Sequence, residues 1–256
     1  MREIVRNVAV AAFALFLMVA VAPAQEVCFD DPTGDDNGPG EYVYPTDAVY
    51  TKGSFDLTKF CLKAKGSKAN VEVSVNSNLQ DPWGMDVGFA VQMFFVYIDN
   101  AEGGHTEGLP GTNHLFLEDQ AWDKVIILSP QQLGMVKNEI EAKAADWQDD
   151  IIVPSRTKGA SRTVSGSIKM ADLGEGDPAT WGYQVISQSN EGFPAETDLL
   201  TRKVNEFEGQ HRFGGGTDYD CDPHVMDILG DHAWLAYECE ADGTPKTMAT
   251  VGMVKK

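Results

Sequence analysis

Val71-Glu72-Val73-Ser74-Val75 alternates apolar and polar residues without a break, and that period of two decides the fold class. Successive side chains of a strand point to opposite faces, so the three valines share one face, and Glu72 and Ser74 share the other. The same reading extends outward. Residues 54–62 carry Phe55, Leu57, Phe60 and Leu62, with a change of phase that predicts a bulge. Val164, Ile168 and Met170 alternate within 163–170, and Trp181, Tyr183 and Val185 alternate with Gly182, Gln184 and Ile186. Residues 88–98 end apolar on both phases, as a central sandwich strand does. Val125 to Leu128 and Ile151 to Val153 are short buried runs, and 234–239 and 247–254 complete the predicted strands. Leu133, Val136, Ile140 and Ala144 instead predict a helix over 131–145, and Leu199, Leu200 and Val204 a weaker one over 198–207. Strands dominate, and Gly, Pro, Asn and Asp turns separate them. The expectation is an all-β sandwich, jelly-roll or immunoglobulin-like, with one or two short inserted helices.

Acids outnumber bases 39 to 20 over 256 residues, a net charge of −19. That balance argues against nucleic acid, whose phosphates need a basic footprint, and against docking on anionic lipid. Residues 1–24 read as a secretory signal. Arg2 and Arg6 form a positive start, 8–21 is an apolar run, and Ala22-Pro23-Ala24 offers a cleavage site. The run is shorter than the roughly 20 residues a spanning helix needs, so no transmembrane segment is expected after cleavage. Removing Arg2, Arg6 and Glu3 leaves 18 bases and 38 acids, a charge of −20. Ala24 to Val27 lacks the small-residue box that lipidation of Cys28 would require. The remaining 25–256 reads as one domain, secreted, periplasmic or at the cell surface.

Four cysteines, Cys28, Cys61, Cys221 and Cys239, remain in the exported part. They permit two disulfides in three connectivities, or free buried thiols. Sequence proximity favours Cys28–Cys61 and Cys221–Cys239.

The stretch Asp30-Asp31-Pro32-Thr33-Gly34-Asp35-Asp36-Asn37-Gly38-Pro39-Gly40-Glu41 holds five carboxylates among turn formers. Calcium takes six to eight oxygen ligands in flexible geometry, and a Gly/Pro loop can turn carboxylates inward. The spacing is not that of an EF-hand. A solvated acidic loop explains the composition equally well.

This run, continued by Tyr42, Tyr44-Pro45-Thr46-Asp47 and Gly53-x-Phe55-Asp56-Leu57, resembles the glucodextranase C-terminal domain family. Asp81-Pro82-Trp83-Gly84, Gly88-Phe89, Gln92 and Tyr97-Ile98-Asp99 follow in order. Later come Trp181-Gly182-Tyr183, His211-Arg212-Phe213-Gly214-Gly215-Gly216 and Asp222-Pro223-x-Val225-x-Asp227. The resemblance implies a sandwich similar to family-9 carbohydrate-binding modules and a non-catalytic role in binding sugar or a cell-envelope component. It also implies structural calcium, for which Asp31, Asp35, Asp36 and Asp56 are the expected ligands. The alternative is a structural cell-surface protein in which the sandwich assembles with itself or a partner; an enzyme partner is a further expectation.

Sugar binding needs flat apolar faces edged by polar groups. Trp83, in a Pro-Trp-Gly turn, and Trp147, at the end of the predicted helix, are the platform candidates, with Tyr42 and Tyr44. Each could equally be a packing residue. Trp181 and Trp234, on alternating segments, read as core. His211, Arg212, Asp220, Asp222 and Asp227 form a second polar cluster, read as a structured loop or a second calcium site. His211, His224 and His232 with Asp227 and Asp231 could form a transition-metal site, though their spacing matches no familiar ligand pattern. An exported haem carrier with His and Met ligands is a further alternative. No Gly-x-Ser-x-Gly or His-Glu-x-x-His occurs, so no enzyme is expected. A glycoside hydrolase stays as the alternative, since acids are plentiful.

Overall fold

The chain is described by a computed structural model over residues 25–219 and 221–256; the predicted signal segment 1–24 and Asp220 lie outside the described residues. Strands Gln25–Asp30 (β1), Leu57–Lys65 (β2), Lys68–Val75 (β3), Gln92–Asp99 (β4), Leu115–Phe116 (β5), Lys124–Leu128 (β6) and Ile151–Ile152 (β7) occupy the first half. Thr157–Ala160 (β8), Thr163–Lys169 (β9), Gly182–Ser189 (β10), Asp227–Ile228 (β11), Glu238–Cys239 (β12), Pro245–Thr247 (β13) and Thr250–Val251 (β14) follow, and Leu133–Lys143 is the helix α1.

One sheet has the order β1-β2-β3-β9-β8, all antiparallel, and the other β11-β10-β4-β6-β7, antiparallel except for the parallel β6–β7 edge. The sheets face each other. Phe60, Leu62, Val71, Val73 and Val164 from the first pack on Phe94, Val96, Ile126 and Val185 from the second. The all-β sandwich is therefore as the sequence predicts. The predicted change of phase is a register shift between Leu57 and Lys59, next to Asp56.

The second sheet is covered on its outer side too. Phe95, Tyr97, Val125 and Ile127 pack there against Val136 and Ile140 of α1 and against Trp122. That second core explains why β4 is apolar on both phases: its odd residues face the helix and its even ones the partner sheet. Inside β10, Gln184 is fully buried; its Nε2 donates to Gly252 O at 2.8 Å, and its Oε1 accepts from Leu229 N at 2.9 Å. Among the described residues no helix is long and apolar enough to cross a membrane.

Three local expectations fail. Residues 198–207 form no helix. Leu200 has φ of +57°, Thr201 bridges Asn190 and Val204 bridges Phe213, so the buried Leu199, Leu200 and Val204 belong to an irregular chain whose apolar spacing mimics a helix. Residues 234–239 are not one strand: a 3-10 turn over His232–Leu235, capped by Asp231, precedes β12. Residues 247–254 split between β13 and β14. The cysteines pair as Cys28–Cys61 and Cys221–Cys239. The first pair joins residues directly opposite each other on β1 and β2.

Candidate functional site

The acidic loop runs between β1 and β2, and backbone bonds fold it against the turns around β11. Gly38 N donates to Met226 O at 2.9 Å, and Gly230 N donates to Asp31 Oδ1 at 2.8 Å. Gly38 sits at φ +57° beneath the Tyr42 ring, where an added Cβ would come within 2.2 Å of that ring. Only glycine meets both demands. Gly34 N and Asn76 Nδ2 donate to the same oxygen of Asp56, Oδ2, at 2.9 and 3.0 Å.

The fold brings Asp31, Asp35 and Asp56 together. Asp31 Oδ2, Asp35 Oδ1 and Asp56 Oδ1 are buried and have no hydrogen-bond partner. Buried polar atoms are normally satisfied, so three orphaned carboxylate oxygens in one neighbourhood need an explanation. Burial raises Asp31 to about 7; the Gly230 amide opposes that, and the Asp35 and Asp56 charges add to it. Burial also raises Asp56, against Asn76 and Gly34 and with the help of Asp36 and Asp35. Asp36 adds its charge to Asp56 and uses one oxygen to accept from Tyr44 Oη.

Asp227 and His232 complete the arrangement. One ligand atom each from Asp35, Asp227 and His232 lie within 4.8 Å of one another. His232 Nε2 meets Asp227 Oδ1 at 2.6 Å, and Leu57 N donates to Asp227 Oδ2 at 2.6 Å. Burial pulls both partners of the pair toward their neutral forms, while their contact favours the charged ones. The balance raises Asp227 to about 8 and His232 to about 9, so the pair shares a proton. Even with that proton, the four carboxylates Asp31, Asp35, Asp56 and Asp227 outnumber the one cation. An oxygen-rich, negatively charged group of this kind fits calcium.

A cleft of about 500 Å³ lies elsewhere, around Trp83. Asp81 Oδ1 and Oδ2 accept from Met85 N at 2.7 Å and Asp86 N at 2.9 Å, closing the turn that presents the indole. Tyr50 and His211 meet the Trp83 ring edge-on, both with centroids 6.3 Å away, and the Arg202 guanidinium lies 5.9 Å above it. Arg202 is not a free cation: it pairs with Glu191 at 2.8 Å and donates to His211 O at 2.9 Å. Gln131 Nε2 donates to Asn190 Oδ1 at 3.1 Å on the same wall. His211 Nδ1 is buried without a partner, and Phe193 on the rim is 96% exposed.

The predicted platform does not assemble as one surface. Tyr42 is buried, donating to Pro223 O at 2.8 Å, and cannot stack on a ligand. Tyr44 packs edge-on against Phe55 and Phe213. Trp147 is half-buried against Trp122 and lines a different cavity. The predicted second cluster also divides. His211 joins the Trp83 cleft. Arg212 donates from Nε to Phe207 O at 2.9 Å at the surface. Asp222 is buried, accepting from Thr217 Oγ1 at 2.7 Å. Asp227 joins the acidic loop. Of the candidate transition-metal ligands, Asp227 and His232 meet, while His224 Nδ1 accepts from Val204 N at 3.3 Å and Asp231 caps a turn. The sequence reading missed Phe193, Arg202 and Glu191, which carry no motif and are gathered only by folding.

No curated protein matches the chain. Residues 27–250 match a family described as the C-terminal binding-module, SLH-like, of glucodextranase. The match spans both sheets, the acidic loop and the Trp83 cleft, and by it the chain belongs to the glucodextranase C-terminal binding-module family.

Proposed function

We propose that the protein is an exported, non-catalytic module that binds a neutral glycan in the Trp83 cleft and holds structural calcium in the acidic loop. The cleft carries the reading: an indole face and a fully exposed phenylalanine flank hydrogen-bonding amides and an imidazole. Flat apolar walls suit the C–H face of a pyranose, and the polar groups between them suit its hydroxyls. Glu191 is the one acid lining the cleft among the described residues, and Arg202 neutralises it. Retaining and inverting glycosidases both need a pair of carboxylates, so the cleft is built for binding and not for hydrolysis. The compensated Arg202 and the net charge of −19 favour uncharged sugars over acidic ones. Two disulfides fit an oxidising compartment, and the family's description as a binding module fits a role without chemistry.

Asp31, Asp35 and Asp56 are the carboxylates proposed to hold calcium, with Asp227 and Asp36 beside them. The metal would supply positive charge to oxygens that nothing else satisfies. The glycan reading is tested by titrating the protein with maltooligosaccharides, dextran and purified envelope glycan while following tryptophan fluorescence. Trp83→Ala is expected to weaken the responding glycan's binding at least tenfold with the fold intact. A Trp83→Ala protein that binds as tightly as the parent defeats the assignment. The glycan that responds distinguishes an α-glucan module from an envelope module.

A further inference from the structure

Trp147 lines a second cavity, of about 390 Å³, that the Trp83 cleft does not share. Its wall and floor include Leu109, Pro110, His114, Trp147, Asp198 and Met248. The volume lies in the range of small-molecule pockets. The short 3-10 turn Ala145–Trp147, just beyond α1, sets the indole in place. One side of that indole is fixed by Trp122, edge-on with centroids 5.9 Å apart, and by His105 at 5.9 Å.

His114 is the feature that packing does not explain. Its side chain is 2% exposed, yet neither ring nitrogen has a well-formed hydrogen bond; the Thr112 backbone interacts with the ring and only partly offsets its burial. Tyr97 and Phe116 hold the ring edge-on at 5.9 and 5.2 Å, so it cannot swing out to water. A neutral imidazole offers one donor and one acceptor, and leaving both unmade is costly. Burial keeps the ring neutral. Asp198, also buried, supplies a carboxylate on the same wall.

We infer that this cavity is a second glycan subsite, which takes one neutral sugar unit against Trp147 with its hydroxyls on His114. An indole face, a neutral imidazole and a carboxylate match a hydroxyl-rich uncharged ring. Lys203 also lines the cavity, but the Asp198 and Glu107 carboxylates outnumber it and disfavour an anion. The inference rests on the glycan-binding reading of the family while using none of the residues of the Trp83 cleft. Two sites on one rigid scaffold would let the module hold a polysaccharide at two points, raising its avidity without any new contact.

The test uses the full chain labelled with 5-fluorotryptophan, each of the five resonances assigned by single Trp→Phe variants. Maltotriose and isomaltotriose are the probes, and 19F NMR reads each site separately in the unmutated protein. Two resonances, those of Trp83 and Trp147, are expected to titrate. Trp147→Phe, which removes that reporter along with the indole, is expected to leave the Trp83 titration unchanged. His114→Asn, which leaves the indole in place, is expected to weaken only the Trp147 response. Titration of Trp83 alone overturns the second subsite and keeps the cleft. Titration of Trp147 alone supports the subsite and defeats the cleft. Silence at both defeats both.

Discussion

His114 is also the residue with the clearest pH signature. Burial lowers its pKa from 6.5 to about 4, so the folded state prefers the neutral ring. A depressed pKa contributes stability that is present above the unfolded value near 6.5 and is lost as pH falls toward about 4, because the unfolded chain takes up the proton first. The shift corresponds to roughly 3 kcal/mol. Urea unfolding at pH 7 and pH 4.5 should show that loss in the parent protein, and His114→Asn should show a smaller one. An equal loss in both would mean that other groups set the acid limit. Gly38 and Tyr42 make the opposite case at this scale. A motif reading takes Tyr42 as an exposed platform, but the left-handed glycine beneath it lets the ring fold inward onto Pro223.

Among elements, β1 is held by a covalent bond as well as by pairing. It lies at the edge of the first sheet and meets β2 through six residue pairs and the Cys28–Cys61 disulfide. The bond closes a loop with a sequence separation of 33, and that loop contains the acidic segment. Chain-entropy arguments give such a closure about 3–4 kcal/mol. Replacing both cysteines by serine should lower the stability by that amount in chemical denaturation, and it should increase amide exchange in β1 before β3. A change below about 1 kcal/mol would place the anchoring in the pairing alone. Helix α1 was legible as a helix because its apolar residues recur at helical spacing and face a second core. Residues 198–207 were not legible, since a buried irregular segment and an amphipathic helix can share an apolar pattern over ten residues.

At the scale of the molecule, the acidic loop ties the start of the first sheet to the β11 turns of the second. A cation there would lock the two sheets at one end. Calcium in excess of its dissociation constant by about 100-fold adds roughly 2.7 kcal/mol, or about 5–10 °C in melting temperature for a chain of this size. Differential scanning fluorimetry should show that rise with calcium and its reversal with EDTA. Asp56→Asn should abolish most of it. A melting temperature indifferent to calcium in the parent protein would leave the orphaned oxygens as a purely acid-stabilised group.

The sequence by itself determined the sandwich, the helix over α1 and the neighbourhood of the acidic loop, and it favoured, without fixing, the disulfide pairing. Those features rest on local period, short separation and turn chemistry, which neighbouring residues encode. Tertiary structure alone decided which groups meet. It moved Asp227 and His232 to Asp31 and Asp35, nearly 200 residues away in the chain. It buried Tyr42, parted Trp83 from Trp147, and gathered Phe193, Arg202 and Glu191 around the first indole. The physical reason is that strand order and loop packing, not spacing along the chain, set the distance between side chains. A single sequence carries no signal for contacts of that range.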